Sequence, residues 1–199
     1  MKKTMLSLAV ASAMVMSAGS AAAAEGAANV ALVSDYVFRG VTQSDGGASL
    51  QGGYDYDMGN GVALGIWGAT GVNFGVEEIE YDIYASYSGE AGDMGYSIGF
   101  TNYMYTESDA IGEVALGLSF GSVSIGYYSA SSIDYTYYEL GYDMSAGGMD
   151  VNFHYGNDGA SADMAVGLSK DMGGYSLGLT ATTHDTADST AALSVSKEF

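Results

Sequence analysis

The sequence predicts an all-β fold: a transmembrane, antiparallel, up-and-down β-barrel of about 12 strands that follows a cleaved signal peptide. Three observations predict it. Apolar and polar residues alternate with period two in one segment after another. The composition, with 30 Gly, 17 Tyr and no Pro, is that of tight turns joining aromatic-rich strands. The first residues form an export leader.

In the leader, Lys2 and Lys3 give a positive start, and Met5 to Met16 is an apolar run too short to span a bilayer as a helix. Ala22-Ala23-Ala24 before Glu25 is an Ala-X-Ala cleavage site, so residues 1–24 are expected to be removed and residues 25–199 to form one barrel domain. No later apolar run is long enough for a transmembrane helix. With no Cys, the exported chain has no disulfides to staple it and must rely on an ample hydrogen-bonded scaffold.

The first strand is expected from Asn29 to Arg39, with Val30, Leu32, Tyr36 and Phe38 on one face and Asp35 and Arg39 on the other. Leu50, Tyr54, Tyr56 and Met58 mark the second, opposite Gln51, Asp55 and Asp57; Val62, Leu64 and Ile66 mark the third. The fourth sets Ile79, Tyr81, Ile83 and Tyr87 against Glu80 and Asp82. The fifth to seventh are carried by Tyr96 and Ile98, by Leu116 and Leu118, and by Val123 and Ile125. Tyr138 to Tyr142, Met149 to Tyr155, Met164 to Leu168 and Tyr175 to Leu179 give the eighth to eleventh, and Ala191 to Phe199 closes the set. An even number returns both ends of a barrel to one side of the membrane.

Each hairpin must bring the chain back on the face it left, which fixes the turns. Gly121-Ser122 is a two-residue connection with Gly first, as a type II′ turn requires, pairing Phe120 with Val123. At Gly59-Asn60-Gly61 a two-residue turn would mismatch the faces, so a three-residue loop with Gly61 left-handed is expected, pairing Met58 with Val62. Ser145 to Gly148 and Asp171 to Gly174 close later hairpins in the same way, the second leaving Lys170 at the rim. The opposite end carries Gly40 to Gly47, Val72 to Glu77, Thr106 to Ile111 and His184 to Ser189.

Periodicity does not say which face is inside. The polar positions do, because they hold small residues such as Gly95, Ser97, Gly99 and Thr101 rather than the Lys and Glu of a water-facing wall. Small residues suit a curved inner surface, and only a closed barrel pairs every strand backbone group within lipid. The apolar faces are therefore expected to meet outer-membrane lipids. The alternative is a soluble barrel with Tyr54, Ile98 and Leu177 in a dry centre.

The last strand, with Leu193, Val195 and the terminal Phe199, resembles the assembly signal of bacterial outer-membrane barrels and implies recognition by the barrel-assembly machinery. Lys197 departs from that pattern, standing where such barrels carry an apolar residue. The run Ser34-Asp35-Tyr36-Val37-Phe38-Arg39-Gly40-Val41-Thr42-Gln43-Ser44, together with Gln51-Gly52-Gly53 and Ile66-Trp67-Gly68, resembles the TorF family of porins. The resemblance implies an outer-membrane barrel forming a channel for small hydrophilic solutes.

By parity, Asp35, Arg39, Gln51, Asp55, Asp57, Trp67, Glu80, Asp82, Glu113, Glu139, Asp143 and Asp163 point inward and are the candidate pore-lining residues. All 24 carboxylates follow the leader, opposed only by Arg39, Lys170 and Lys197, a balance that repels nucleic acid and favours cations in a pore. The alternative is that the same carboxylates are solvated filler, balanced by hydrogen bonds to Tyr and Ser. Asp35 and Arg39 stand about 13 Å apart along a strand, too far to pair, so Arg39 is expected to face the second strand near Ser49 and Gln51. It either tunes a constriction or neutralises buried charge. Trp67 either narrows the lumen or joins an interfacial belt.

No catalytic residues are expected. His154 faces inward and His184 begins a loop, and neither stands in a nucleophile–base arrangement. Asp55 to Gly61 lacks the Gly spacing and distant Glu of a calcium loop, and no cofactor or metal motif is present. Beside the channel stands the alternative of a closed barrel with a structural or surface-interaction role.

Overall fold

The computed structural model describes residues 24–199; the expected signal peptide lies, apart from Ala24, outside the described residues. The chain runs β1 (Glu25–Val33), a short inserted hairpin of β2 (Val37–Phe38) and β3 (Val41–Thr42), then β4 (Ser49–Asp57), β5 (Val62–Asn73), β6 (Glu77–Ala91) and β7 (Met94–Tyr105). It continues through β8 (Ile111–Phe120), β9 (Val123–Ala130), a 3₁₀ turn (Ser131–Ile133), β10 (Tyr135–Ala146) and β11 (Met149–Asn157). β12 (Ala162–Asp171), β13 (Ser176–His184) and β14 (Thr190–Glu198) complete it. β1 and β4 to β14 form one closed antiparallel barrel, each strand beside its neighbours in sequence, and β14 closes on β1. Twelve strands line the wall, as the alternation predicts.

The turns at one end match the parity argument. Phe120 pairs with Val123 around Gly121, whose φ of 58° is the left-handed value a type II′ turn needs. Met58 N–H donates to the Val62 carbonyl at 2.9 Å, giving the three-residue loop. Ala146 pairs with Met149, so that hairpin is tighter than expected. The β1 and β14 termini lie at this same end, where Phe199 N–H bonds the Ala28 carbonyl at 2.9 Å.

Orientation is equally plain. Tyr54, Ile98 and Leu177, which a soluble barrel would bury, are 47%, 50% and 40% exposed on the outer face. Leu32, Ile66, Ile83, Leu116, Ile125, Leu140, Leu179 and Leu193 join them around the circumference. An apolar belt on this scale is incompatible with water, and strands closed into a ring leave no unpaired edge in hydrocarbon. Tyrosines flank the belt, Tyr56, Tyr87, Tyr96, Tyr142 and Tyr175 toward the tight turns and Tyr127, Tyr138 and Tyr155 toward the other end, as interfacial girdles do.

One expectation fails. The first strand does not reach Arg39: β1 ends at Val33, which pairs with Ser49 of β4 and with Ser194 of β14. Ser34 is the last residue in line with β1, exchanging bonds with the backbone of Leu193 on β14. The chain then turns into the lumen, where the Tyr36 N–H donates to Ser44 Oγ and Arg39-Gly40, with φ of 45° and 80°, make the turn of the β2–β3 hairpin. Two successive left-handed residues are the requirement of a type I′ turn. Asp35 and Arg39 therefore leave the strand for the inserted connection, residues 34–48.

Candidate functional site

The barrel interior is the candidate site, and the 34–48 connection divides it. Its base is a small apolar cluster in which Tyr36 and Val33 pack with Ala69 and Val72, flanked by Phe38, Trp67 and Tyr105. Trp67 thus lies on the inner face, edge-to-face with Tyr36 at 5.8 Å between ring centres. Asp35 accepts from Thr42 Oγ1 at 2.6 Å and Ser44 Oγ at 3.1 Å, holding the connection to itself rather than lining the wall.

From this base the connection crosses the lumen. Tyr36 Oη donates to Glu80 on β6 at 2.8 Å, and Tyr105 Oη donates to the other oxygen of that carboxylate at 3.2 Å. Burial, then the Glu80 charge, hold the Tyr36 hydroxyl protonated well above the ordinary tyrosine range. Further across, Arg39 reaches β8 and donates both terminal nitrogens to Glu113, each at 2.8 Å. Its expected place near Ser49 and Gln51 is corrected, because β8 stands nearly opposite β1 in the ring. Burial works to lower the Arg39 value, but the hydrogen bonds and charge of Glu113 outweigh it and keep the guanidinium firmly charged. Gly40 then abuts β12 and β13: a Cβ there would stand 2.9 Å from His184 Cδ2 and closer still to Asp163 Cβ.

Behind Arg39 the wall carries a polar network. Tyr128 Oη donates to Glu139 at 2.6 Å, and Tyr137 Oη donates to Asp163 at 2.7 Å. His154 lies among them, its Nε2 3.0 Å from Asp163 and 2.9 Å from Tyr137 Oη. Toward the tight turns, Asp55 accepts from Tyr84, Asp143 accepts from Asn152, and Asp57 caps its turn through the Gly59 N–H. Gln51 and Asp82 are buried on the inner face. Every candidate on a barrel strand therefore faces the interior, while Asp35 and Arg39 enter it on the connection.

The tyrosines are the part that sequence reading missed. Tyr103, Tyr105, Tyr128 and Tyr137 occupy polar-face positions of β7, β9 and β10, where an aromatic in place of a small residue marks a filled interior. Beside the connection a cleft of about 170 Å3 remains, lined by Tyr36, Phe38, Arg39, Tyr103, Tyr105 and Tyr135 among others. Among the described residues no group of His, Cys, Asp and Glu is arranged to hold a metal.

Among solved structures, the chain is similar to the KdgM porin, with a TM-score of 0.62 at 9% identity, covering 87% of this chain and 98% of that one. It is also similar to a KdgM porin in complex with disordered oligogalacturonate, with a TM-score of 0.59 at 8% identity, covering 88% and 98%. At such identity the likeness is one of fold: a porin-like barrel. No curated protein matches the chain by sequence. A family model described as "Bacterial protein of unknown function (Gcw_chp)" matches residues 17–197, and the chain belongs to that family.

Proposed function

We propose that the protein is a channel of the outer membrane, exported by a signal peptide at residues 1–24, for passive diffusion of small hydrophilic solutes with a preference for cations. The observation that carries this reading is the charge of the interior. Asp55, Asp57, Glu80, Asp82, Glu139, Asp143 and Asp163 line it, while the only Lys or Arg turned inward among the described residues is Arg39, already neutralised by Glu113. An acidic wall within a low-dielectric ring concentrates cations and repels anions. The resemblance of Ser34 to Ser44 to the TorF family supports the channel reading, as does the KdgM-like fold. Oligogalacturonate, the ligand in one of those structures, is a polyanion, and this interior is built against such a cargo. Leu193, Val195 and Phe199 serve as the signal read by the barrel-assembly machinery, with Lys197 Nζ folded over the Phe199 ring at 4.6 Å.

Planar bilayers test it. In a salt gradient the folded protein is expected to give discrete steps and a reversal potential of the sign for cation flow; anion selectivity would refute the preference. The depth to which Tyr36 and Arg39 are buried in the lumen favours a second reading, a closed barrel with a structural role. Absence of any steps from correctly folded protein would select it.

A further inference from the structure

Opposite the base of the connection, Tyr103, Glu113, Tyr128, Tyr135 and Tyr137 come from four consecutive strands, β7 to β10, whose ladders fix their backbones. They enclose one cation. Arg39 Cζ stands 4.4 Å from the Tyr137 ring centre, 4.7 Å from Tyr128 and 5.5 Å from Tyr135, while Glu113 grips both terminal nitrogens. Aromatic faces around a carboxylate are the chemistry that recognises an organic cation, and the two-pronged grip selects a planar guanidinium. Tyr103, Tyr128 and Tyr137 each donate their hydroxyl to a carboxylate, which locks the rings and enriches their faces in electron density.

The wall half of this cage, Glu113 with Tyr128, Tyr135 and Tyr137, is held by β8 to β10; the connection adds the Phe38 ring, 4.7 Å from Arg39 Cζ, and is strained. Arg39 is a non-Gly residue at φ 45°, and its buried Nε has no partner. Nor does the barrel need residues 34–48 in order to close, since Val33 and Ser49 are already paired.

We propose that the Glu113–tyrosine cage is a binding site for small guanidinium-class cations, that Arg39 fills it as a tethered internal ligand, and that such a solute displaces Arg39 and frees the β2–β3 turn from β8, the base of the connection staying held by Tyr36. As a statement about cargo this rests on the channel reading; as a statement about binding it does not. A group on a short flexible tether competes at an effective concentration of about millimolar order, and a folded hairpin holds Arg39 more firmly, so the probe is titrated from the millimolar range upward.

The test uses the folded wild-type barrel in detergent with methylguanidinium as the probe. Chymotrypsin cleavage after Phe38, which is only partly exposed within the lumen, is expected to rise several-fold over equal sodium chloride. Glu113→Gln is expected to be cut rapidly with or without the probe. An unchanged wild-type rate, or the same enhancement by sodium, overturns the proposal. Enhanced cleavage without conductance leaves the site standing and removes the channel; cation-selective steps without enhanced cleavage do the reverse.

Discussion

Arg39 and Glu113 form the ion pair that ties the connection to β8, and both are almost fully enclosed, with side chains 6% and 4% exposed. Removing one member of such a pair leaves the other charge buried without compensation, at a cost of about 3–5 kcal/mol. Arg39→Ala is therefore expected to lower the temperature at which the folded band converts to the unfolded one in unheated versus heated electrophoresis, and Arg39→Ala with Glu113→Gln is expected to recover part of that loss. Ile98 and Ser97 supply a second contrast. Ile98 is half-exposed on the apolar outer face in mid-strand, so in a bilayer Ile98→Lys should cost about 2–4 kcal/mol and lower folding yield into vesicles. Ser97, one residue away on the inner face, should accept Lys with little loss. Strand parity alone makes that contrast legible, because a single-residue step exchanges oil for lumen.

Among the elements, the barrel strands were legible and the inserted hairpin was not. Strand alternation and turn parity located β4 to β14 because each hairpin constrains the next. Where the connection begins the same cues mislead: Tyr36, Val37 and Phe38 have high strand propensity, so they read as the continuation of β1 as far as Arg39. The signals that they leave the wall are Ser34, whose hydroxyl takes the Leu193 N–H, and Arg39-Gly40, where the backbone turns left-handed. Neither is distinctive in one sequence. The partner of Arg39 was beyond reach for another reason, since periodicity gives the face of a residue but not which strand across the ring it will meet. A direct prediction follows for the element: replacing residues 35–47 with a short Gly-Ser linker should leave a folded barrel, as Val33 and Ser49 still pair, and enlarge the conductance step. An unchanged step would mean that the connection does not narrow the path.

At the scale of the whole molecule, charge is distributed by radius. The outer belt is apolar and tyrosine-edged, the interior carries acids such as Glu80, Asp82, Glu113 and Asp163, and the rims carry exposed acids such as Glu90, Asp109 and Asp171. Asp55→Asn, Asp57→Asn and Asp143→Asn together should shift the reversal potential toward zero without changing heat stability much, because these three sit toward the tight-turn end, away from the Arg39 cage. The ladder between β1 and β14 bears on biogenesis as well. Because the earliest and latest strands are mutual neighbours, a nascent chain lacking β14 has two bare edges and no way to hide them in hydrocarbon. Closure must then await the finished polypeptide, because the free edge of β1 finds its partner only in the last strand to be made.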